Sequence, residues 1–183
     1  MSLHPRTSVR RKAVIGAPGD QVETLTWSGG RVYLVFVELV LLIGLPASGK
    51  SSFYERHFSK SHRLISKDLI KNNRRKDRRQ RQLLDKAFQE SLPVVLDNTH
   101  PSMKSRRPWI EWGLENGWAV KGYYLSCSVE ECQRRNALRP TESRVPDVGF
   151  YTILRELERP CLSEGFHELY FVDGDRIEPW REQ

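Results

Sequence analysis

The chain has 183 residues, of which 38% are hydrophobic and 29% charged, a balance typical of a soluble globular protein and not of a disordered or membrane-embedded one. Its formal net charge of +7 favours an anionic partner. Its three cysteines fit neither a disulfide framework nor a zinc-binding pattern. The longest apolar run, residues 32–43, contains Glu38 and is too short to span a bilayer, so we expect no membrane association and a cytoplasmic location.

Residues 1–30 differ in composition from the rest of the chain. They are polar and show no sustained hydrophobic period. Either they form a hairpin that turns at Ser28-Gly29-Gly30, or they are a disordered leader or an extension upstream of the natural start. We therefore divide the chain into an N-terminal extension, 1–30, and one domain, 31–183.

From residue 35 onwards, apolar strand patterns alternate with helical patterns. Strands are predicted within 36–44, 62–66, 93–97, 118–127 and 167–173. Helices are predicted at about 49–57, 67–90 with a break near Asn72-Asn73, 101–116, 128–139 and 146–158, and Ser128 and Glu131 suggest a capping box. This alternation predicts an α/β fold with a five-stranded parallel sheet covered by helices on both faces.

A phosphate-binding loop follows the first strand of the predicted sheet. The segment GLPASGKSS fits the pattern G-x-x-x-x-G-K-[ST], with glycines where the backbone approaches a ligand closely. Backbone amides and the helix that follows would hold phosphate, Lys50 would reach the β- and γ-phosphates of ATP, and the Ser51 hydroxyl would ligate Mg²⁺. The residues assigned to ATP in this loop are Gly44, Ser48, Gly49, Lys50, Ser51 and Ser52.

The loop predicts nucleotide binding without fixing the reaction. A GTPase would carry a guanine-reading N-K-x-D sequence, and none is present. An oligomeric AAA-type ATPase is usually longer and has an Asp-Glu pair after the third strand, where this chain has Asp97 alone.

Polar residues follow the second and third predicted strands, at the sheet edge where ligands bind in such folds. Asp68 is a candidate general base for an attacking hydroxyl, although an acid there also simply complements a helix dipole. Asp97 is a candidate Mg²⁺ ligand acting through water. The segment after Asp97 offers donors to a substrate phosphate, or forms an Asx turn before a helix; its candidate residues are Asn98, Thr99 and His100.

Two groups of basic residues suggest contacts with phosphate. Arg134, Arg135, Arg139 and Arg144 surround a predicted helix end, where a mobile lid would neutralise charge on the transferred phosphoryl group. Arg135 and Arg139 share a helix face, and we assign both to ATP and Arg139 to catalysis. The run KNNRRKDRRQR at 71–81 suits either a solvated helix or a track for a polyanionic backbone.

Together, the segments GLPASGKSS, SKD, LDNTHPS and RRNALRP…RVP resemble the P-loop 5′-hydroxyl polynucleotide kinases over roughly 37–172. The resemblance implies an adenylate-kinase-like sheet, ATP and Mg²⁺, with Lys50 and Ser51 at the donor phosphates and Asp68 as base. It also implies Arg135 and Arg139 as lid residues. Two positions depart from the family: Lys71 stands where an arginine is common, which loses a two-pronged phosphate grip, and His100 ends the usual DNTN as DNTH.

The sequence therefore predicts a kinase that transfers the γ-phosphate of ATP to a 5′-hydroxyl end of a polynucleotide, with Lys71 among the substrate contacts. A P-loop kinase acting on a small-molecule hydroxyl, such as an antibiotic, a sugar or the substrate of a zeta-toxin-like kinase, is the second hypothesis. A nucleic-acid-binding module that uses ATP as a switch is the third. The sequence leaves open DNA or RNA as substrate and the oligomeric state.

Overall fold

The computed structural model of the protein describes residues 23–28, 31–70 and 75–182, with side chains described from residue 37 onwards. At its start, strands β1 (Glu23–Ser28) and β2 (Arg31–Phe36) form an antiparallel pair with Glu23 opposite Phe36. This is the hairpin that the sequence allowed as one alternative. The division at residue 30 stays a prediction.

The main sheet has the strand order β4-β5-β3-β6-β7-β8. Its strands are β3 (Glu38–Ile43), β4 (Arg63–Ile65), β5 (Val94–Asp97), β6 (Ala119–Ser126), β7 (Glu168–Asp173) and β8 (Arg176–Pro179). The first five are parallel, which confirms the predicted α/β fold. The predicted count of five was one strand short, because Gly174 adopts φ 58° and turns the chain back into the antiparallel β8.

Five α-helices connect the strands in the described part of the chain. They are α1 (Lys50–His57), α2 (Lys76–Gln89), α3 (Met103–Glu115), α4 (Val129–Ala137) and α5 (Asp147–Glu156). The long helix predicted at 67–90 begins instead as a 3₁₀ turn, Lys67–Leu69, and resumes as α2, with its predicted break falling in 71–74, outside the described residues. None of these helices is long and apolar enough to cross a membrane.

The core follows from the alternation of side chains along β3. Leu39, Leu41 and Ile43 are fully buried against residues of α2 and α3, whereas Val40 and Leu42 are buried against α1 on the opposite face. Helices thus cover both faces of the sheet. β5 and β6 lie on opposite sides of β3, so the connections that leave β3 and β5 run to opposite sides of the sheet. In such folds the ligand crevice opens at this point, at the carboxyl end of β3.

Candidate active site

The phosphate-binding loop lies at the carboxyl end of β3 and ends at α1. Gly44 has φ 148°, and a Cβ there would lie 2.8 Å from the carbonyl oxygen of Leu125, so only glycine fits. Gly49 has φ 102° and precedes α1 without a side-chain cap, which leaves the first-turn amides of the helix for a ligand. The loop therefore has the backbone of an anion-binding site.

Lys50 is folded back onto this loop. Its Nζ donates to the carbonyl oxygens of Gly44 at 3.0 Å and Leu45 at 2.6 Å, with Ser48 Oγ at 3.4 Å. Burial of the ammonium lowers the pKa of Lys50 to about 8, although the nearby Asp97 carboxylate opposes that shift. A phosphate entering the loop would give this buried charge a partner.

Ser51 and Asp97 form the candidate Mg²⁺ site. Ser51 Oγ donates to Asp97 Oδ2 at 2.8 Å, so a helix hydroxyl and a strand-end carboxylate face the same point. Burial raises the pKa of Asp97, and the hydrogen bond from Ser51 opposes the rise. Two hard oxygen ligands with room for water and phosphate suit Mg²⁺, which keeps several waters in kinase sites. The described residues hold no group of three or more His, Cys, Asp or Glu that could bind a metal by themselves.

Asp68 lies in the 3₁₀ turn that follows β4. Its carboxylate is exposed, and its backbone amide donates to the buried Ser66 Oγ at 3.3 Å. The turn is fixed from both sides: Asn98 Oδ1 accepts the Lys67 amide at 3.2 Å, and Lys76 Nζ donates to the Lys67 carbonyl at 3.1 Å. Asp68 is thus presented to solvent on an anchored turn.

The residues after β5 take structural as well as cleft-lining positions. Asn98 Oδ1 also accepts Gln80 Nε2 at 3.3 Å, so this atom joins β5, the Asp68 turn and α2. The Thr99 carbonyl accepts the Gly44 amide at 3.1 Å. His100 is 3% exposed, and burial together with nearby cationic groups lowers its pKa to about 3, so it is neutral.

The four lid arginines divide between structural and cleft positions. Ser128 Oγ caps α4 as predicted, but the Glu131 carboxylate binds Arg134 and Arg135 instead of completing a capping box. The pKa of Glu131 falls to about 2 because of these two hydrogen bonds. Arg144 donates to the carbonyls of Asn136 and Ala137, at the end of α4.

Two clefts open beside the loop. The first, about 310 Å³, brings together most of the predicted catalytic and acceptor residues, namely Lys50, Ser51, Asp68, Asp97, Asn98, Thr99, His100 and Arg139. The second, about 370 Å³, is lined by Ser48, Gly49, Ser52 and Arg135, together with 125–128 and 172–175. Arg135 and Arg139 therefore face different clefts. Lys71 lies outside the described residues.

Sequence reasoning missed two parts of this site. Trp109 of α3 lines the first cleft. Arg106 is fully buried: it binds the Glu164 carboxylate through Nε and Nη2, each at 2.7 Å, and the carbonyls of His100, Pro101 and Glu158 through Nη1. It joins the loop after β5 to the chain that leaves the lid. Nothing in KSRRPW distinguishes Arg106 from its exposed neighbour Arg107.

A family model described as an AAA domain matches residues 39–160. The chain belongs to this family. In this AAA-domain chain, Asp97 at the end of β5 is followed by Asn98 in place of a second acid. A lone carboxylate at this position counts against an oligomeric AAA-type ATPase. Because the chain nevertheless belongs to an AAA-domain family, the missing second acid is a feature of this chain's own site.

Two curated relatives carry related names. The bifunctional polynucleotide phosphatase/kinase of Schizosaccharomyces pombe is 27% identical over 133 residues, covering 70% of this chain and 32% of the relative. A putative bifunctional polynucleotide phosphatase/kinase of Acanthamoeba polyphaga mimivirus is 24% identical over 144 residues, covering 74% and 33%. The chain thus spans about a third of the length of each.

Solved structures share the fold of this AAA-domain chain. Kti12 of Chaetomium thermophilum, in complex with ADP-AlF3, has a TM-score of 0.54 and 18% identity over 75% of this chain and 89% of its own. A fungal RNA kinase has a TM-score of 0.52 and 14% identity, covering 74% of this chain and 38% of its own. A gluconokinase from Sinorhizobium meliloti has a TM-score of 0.51 and 20% identity, covering 77% of this chain and 85% of its own. The fold of this chain is therefore that of a P-loop kinase.

Proposed function

We propose that this protein is an ATP-dependent kinase that phosphorylates the 5′-hydroxyl end of a polynucleotide. The observation that carries the proposal is the first cleft, which is lined by Asp68, Lys50 and the Ser51–Asp97 pair. A base, a phosphate-binding lysine and two hard oxygen ligands in one cleft are the parts that phosphoryl transfer to a hydroxyl needs.

The donor side binds and orients ATP. The loop amides and α1 would take the β- and γ-phosphates, and Lys50 would exchange its two carbonyl partners for phosphate oxygens. Ser51, and Asp97 through water, would hold Mg²⁺, which neutralises charge on the phosphates when bound. Arg139 lies in the same cleft and would stabilise the transferring group, while Arg135 lies on the side of the second cleft.

The acceptor side supplies the base. The hydroxyl proton passes to the Asp68 carboxylate as the oxygen attacks the γ-phosphorus in line. A new P–O bond forms, the bond between the γ-phosphorus and its bridging oxygen breaks, and ADP leaves. The Asp68 turn is anchored to Asn98 and α2, which would hold the base in position for the incoming hydroxyl. Most of the rate enhancement would then come from positioning and electrostatics.

Helix α2 supports a polynucleotide as acceptor. Its first turns begin beside the Asp68 turn, and the side chains of Lys76, Arg78 and Arg79 are exposed there. Such a row of cations suits the phosphates of a nucleic-acid strand. The names of the two curated relatives point the same way. Lys71, just before α2, stays a predicted substrate contact.

The first test is transfer of labelled γ-phosphate from ATP with Mg²⁺ to 5′-hydroxyl DNA and RNA oligonucleotides. We expect label at the 5′ end, loss of label in Lys50→Ala, and a fall of roughly a hundredfold or more in turnover for Asp68→Asn with ATP binding kept. Asp147→Asn is the matched control, since Asp147 is an exposed acid in the first turn of another helix. Equal turnover by both Asn variants would remove Asp68 from the mechanism.

The second candidate, a small-molecule kinase, is favoured by the apolar residues that share the first cleft, which include Pro46, Trp109, Val145 and Ile153. It predicts no label on any oligonucleotide but turnover in a screen of sugars and other metabolite hydroxyls. A nucleic-acid-binding module switched by ATP would instead bind oligonucleotides without forming product, and Asp68→Asn would leave its behaviour unchanged.

A further inference from the structure

The 3₁₀ turn that carries Asp68 depends on two side chains to accept its first backbone amides. The first amides of a helical turn have no acceptor within the turn itself. Ser66 Oγ, from the residue that caps the turn, accepts the Asp68 amide at 3.3 Å. Asn98 Oδ1, from the residue after β5, accepts the Lys67 amide at 3.2 Å. The position of Asp68 therefore depends on how the Asn98 side chain is oriented.

Gln80 of α2 fixes that orientation. The Lys67 backbone N–H can only donate, so the Asn98 atom that faces it is the oxygen. Gln80 Nε2 donates to the same oxygen at 3.3 Å, and an amide nitrogen does not accept. A rotated Asn98 side chain would therefore place a third donor against these two. On the other side of the amide, Asn98 Nδ2 lies 3.5 Å from His100 Nε2, at the limit of a hydrogen bond, so Gln80 is the firmer restraint.

The position of Gln80 would suit an apolar side chain better if stability alone mattered. Gln80 is 0% exposed, and Leu84 and Ala87, on the same face of α2, belong to the main hydrophobic core. Its Oε1 is buried and has no hydrogen-bond partner in the part of the chain that the structure describes. A buried acceptor without a donor lowers the stability of a fold, and such exceptions are expected at functional sites.

The contact between Gln80 and Asn98 also links the two sides of the candidate active site. Asn98 directly follows Asp97, which forms the candidate Mg²⁺ site with Ser51. The same Asn98 oxygen holds the turn that carries Asp68 on the acceptor side. Gln80 is thus a buried restraint at the point where the base and the metal site are joined.

We propose that Gln80 is a positioning residue of this kinase, which acts through Asn98 to set the distance between the Asp68 carboxylate and the phosphate bound beside Asp97. The inference rests on the proposed function and adds to it a residue that acts without touching the substrate. A misplacement of about 1 Å among reacting groups can lower a rate by about a hundredfold. Loosening the Asn98 amide should therefore slow the chemical step while ATP binding is kept.

Gln80→Met tests this role, because it keeps the length of the side chain and removes both the donor and the unpaired acceptor. We expect kcat for phosphate transfer to fall roughly tenfold, with an unchanged KM for ATP and a urea midpoint equal to or above that of wild type. A lower midpoint with an unchanged kcat would mean a structural role only and would overturn the inference. Gln89→Met changes an exposed glutamine at the end of the same helix and should leave kcat unchanged.

A kinetic cycle with Asp68→Asn shows whether Gln80 acts through the base. Residues that act as a unit have effects on kcat that do not add. Gln80→Met should therefore cost roughly tenfold in the wild-type background and less than about twofold in the Asp68→Asn background. Equal losses in the two backgrounds would overturn the inference.

An exchange measurement separates this inference from the proposed function. Hydrogen exchange of the Lys67 amide, followed by NMR without substrate, reports the contact with Asn98 directly. We expect this amide to exchange roughly threefold to tenfold faster in Gln80→Met, the factor for about one hydrogen bond, while the amides of β3 keep their wild-type rates. Faster exchange supports the inference even if no oligonucleotide is phosphorylated and the proposed function fails. An unchanged rate overturns the inference, and label on oligonucleotides would still uphold the kinase.

Discussion

The buried pair of Arg106 and Glu164 gives the sharpest stability prediction. Their side chains are 0% and 1% exposed, and two hydrogen bonds of 2.7 Å join them. Arg106→Met removes both bonds and the donor to three carbonyls, and leaves the Glu164 carboxylate buried without its counter-ion. Breaking a buried pair from one side costs about 3–5 kcal/mol. At about 2–4 °C per kcal/mol for a domain of this size, Tm should fall by roughly 6–20 °C.

The adjacent pair of Arg107 and Glu111 is the matched control. It has the same 2.7 Å separation, but its side chains are 73% and 52% exposed. Exposed pairs contribute about 0–1 kcal/mol, so Arg107→Met should shift Tm by no more than a few degrees. Thermal unfolding followed by circular dichroism measures both Tm values, and urea unfolding measures the corresponding free energies.

A double-mutant cycle with Glu164→Gln identifies the source of the loss. Each single change leaves a buried group unpaired, so the double variant should be more stable than the sum of the two losses predicts, by about 1–3 kcal/mol. Two results would contradict this prediction: a free energy of unfolding for Arg106→Met within about 1 kcal/mol of the wild-type value, or losses of the two single variants that simply add. Either result would mean that the pair does not stabilise the loop after β5.

Three further predictions follow from pKa values and close packing. Burial lowers the pKa of Lys50 to about 8, so ATP binding at pH 9 should be accompanied by uptake of a proton. The affinity for ATP should fall about tenfold per pH unit above 8. Calorimetry in two buffers measures the proton uptake, which Lys50→Met should abolish. His100 has a pKa of about 3 in the folded protein and stays neutral there, whereas the unfolded chain protonates it below about pH 6.5. The free energy of unfolding should therefore be about 2 kcal/mol lower at pH 5 than above pH 6.5. His100→Asn should remove this pH dependence from urea unfolding. A Cβ on Gly113 would lie 2.6 Å from Val120 Cγ2, so Gly113→Ala should lower the free energy of unfolding by about 1–3 kcal/mol, and an unchanged midpoint in urea would contradict the packing of α3 on the sheet.

The parallel sheet could be predicted because its strands are buried on both faces. Such strands appear as continuous apolar runs, and ELVLLI and PVVLD are of this kind. The antiparallel β8 could not be predicted in the same way. Its residues Arg176 and Ile177 are exposed, so RIEP carries no hydrophobic pattern, and only the turn at Gly174 marks it.

The donor side of the site could be predicted because its chemistry depends on local backbone. Gly44, Gly49, Lys50 and Ser51 are fixed by one loop and one helix start, so their spacing in the chain is their spacing in space. Asp97 is 46 residues from Ser51, and its 2.8 Å contact depends on β3 and β5 being neighbours. The sequence suggested this pair only through the rule that strand ends share an edge.

Local patterns in the sequence were enough to predict the sheet class, the phosphate-binding loop and the position of Asp68 and Asp97 at one sheet edge, because short-range pattern and spacing control these features. Which basic residues are available to a ligand depends instead on the packed fold. Arg106 forms an ion pair with Glu164 and Arg144 donates to the end of α4, whereas Arg81 Nη1 has no hydrogen-bond partner among the described residues. These differences arise from packing between elements distant in the chain, and residues with the same charge and propensity give no local sign of it.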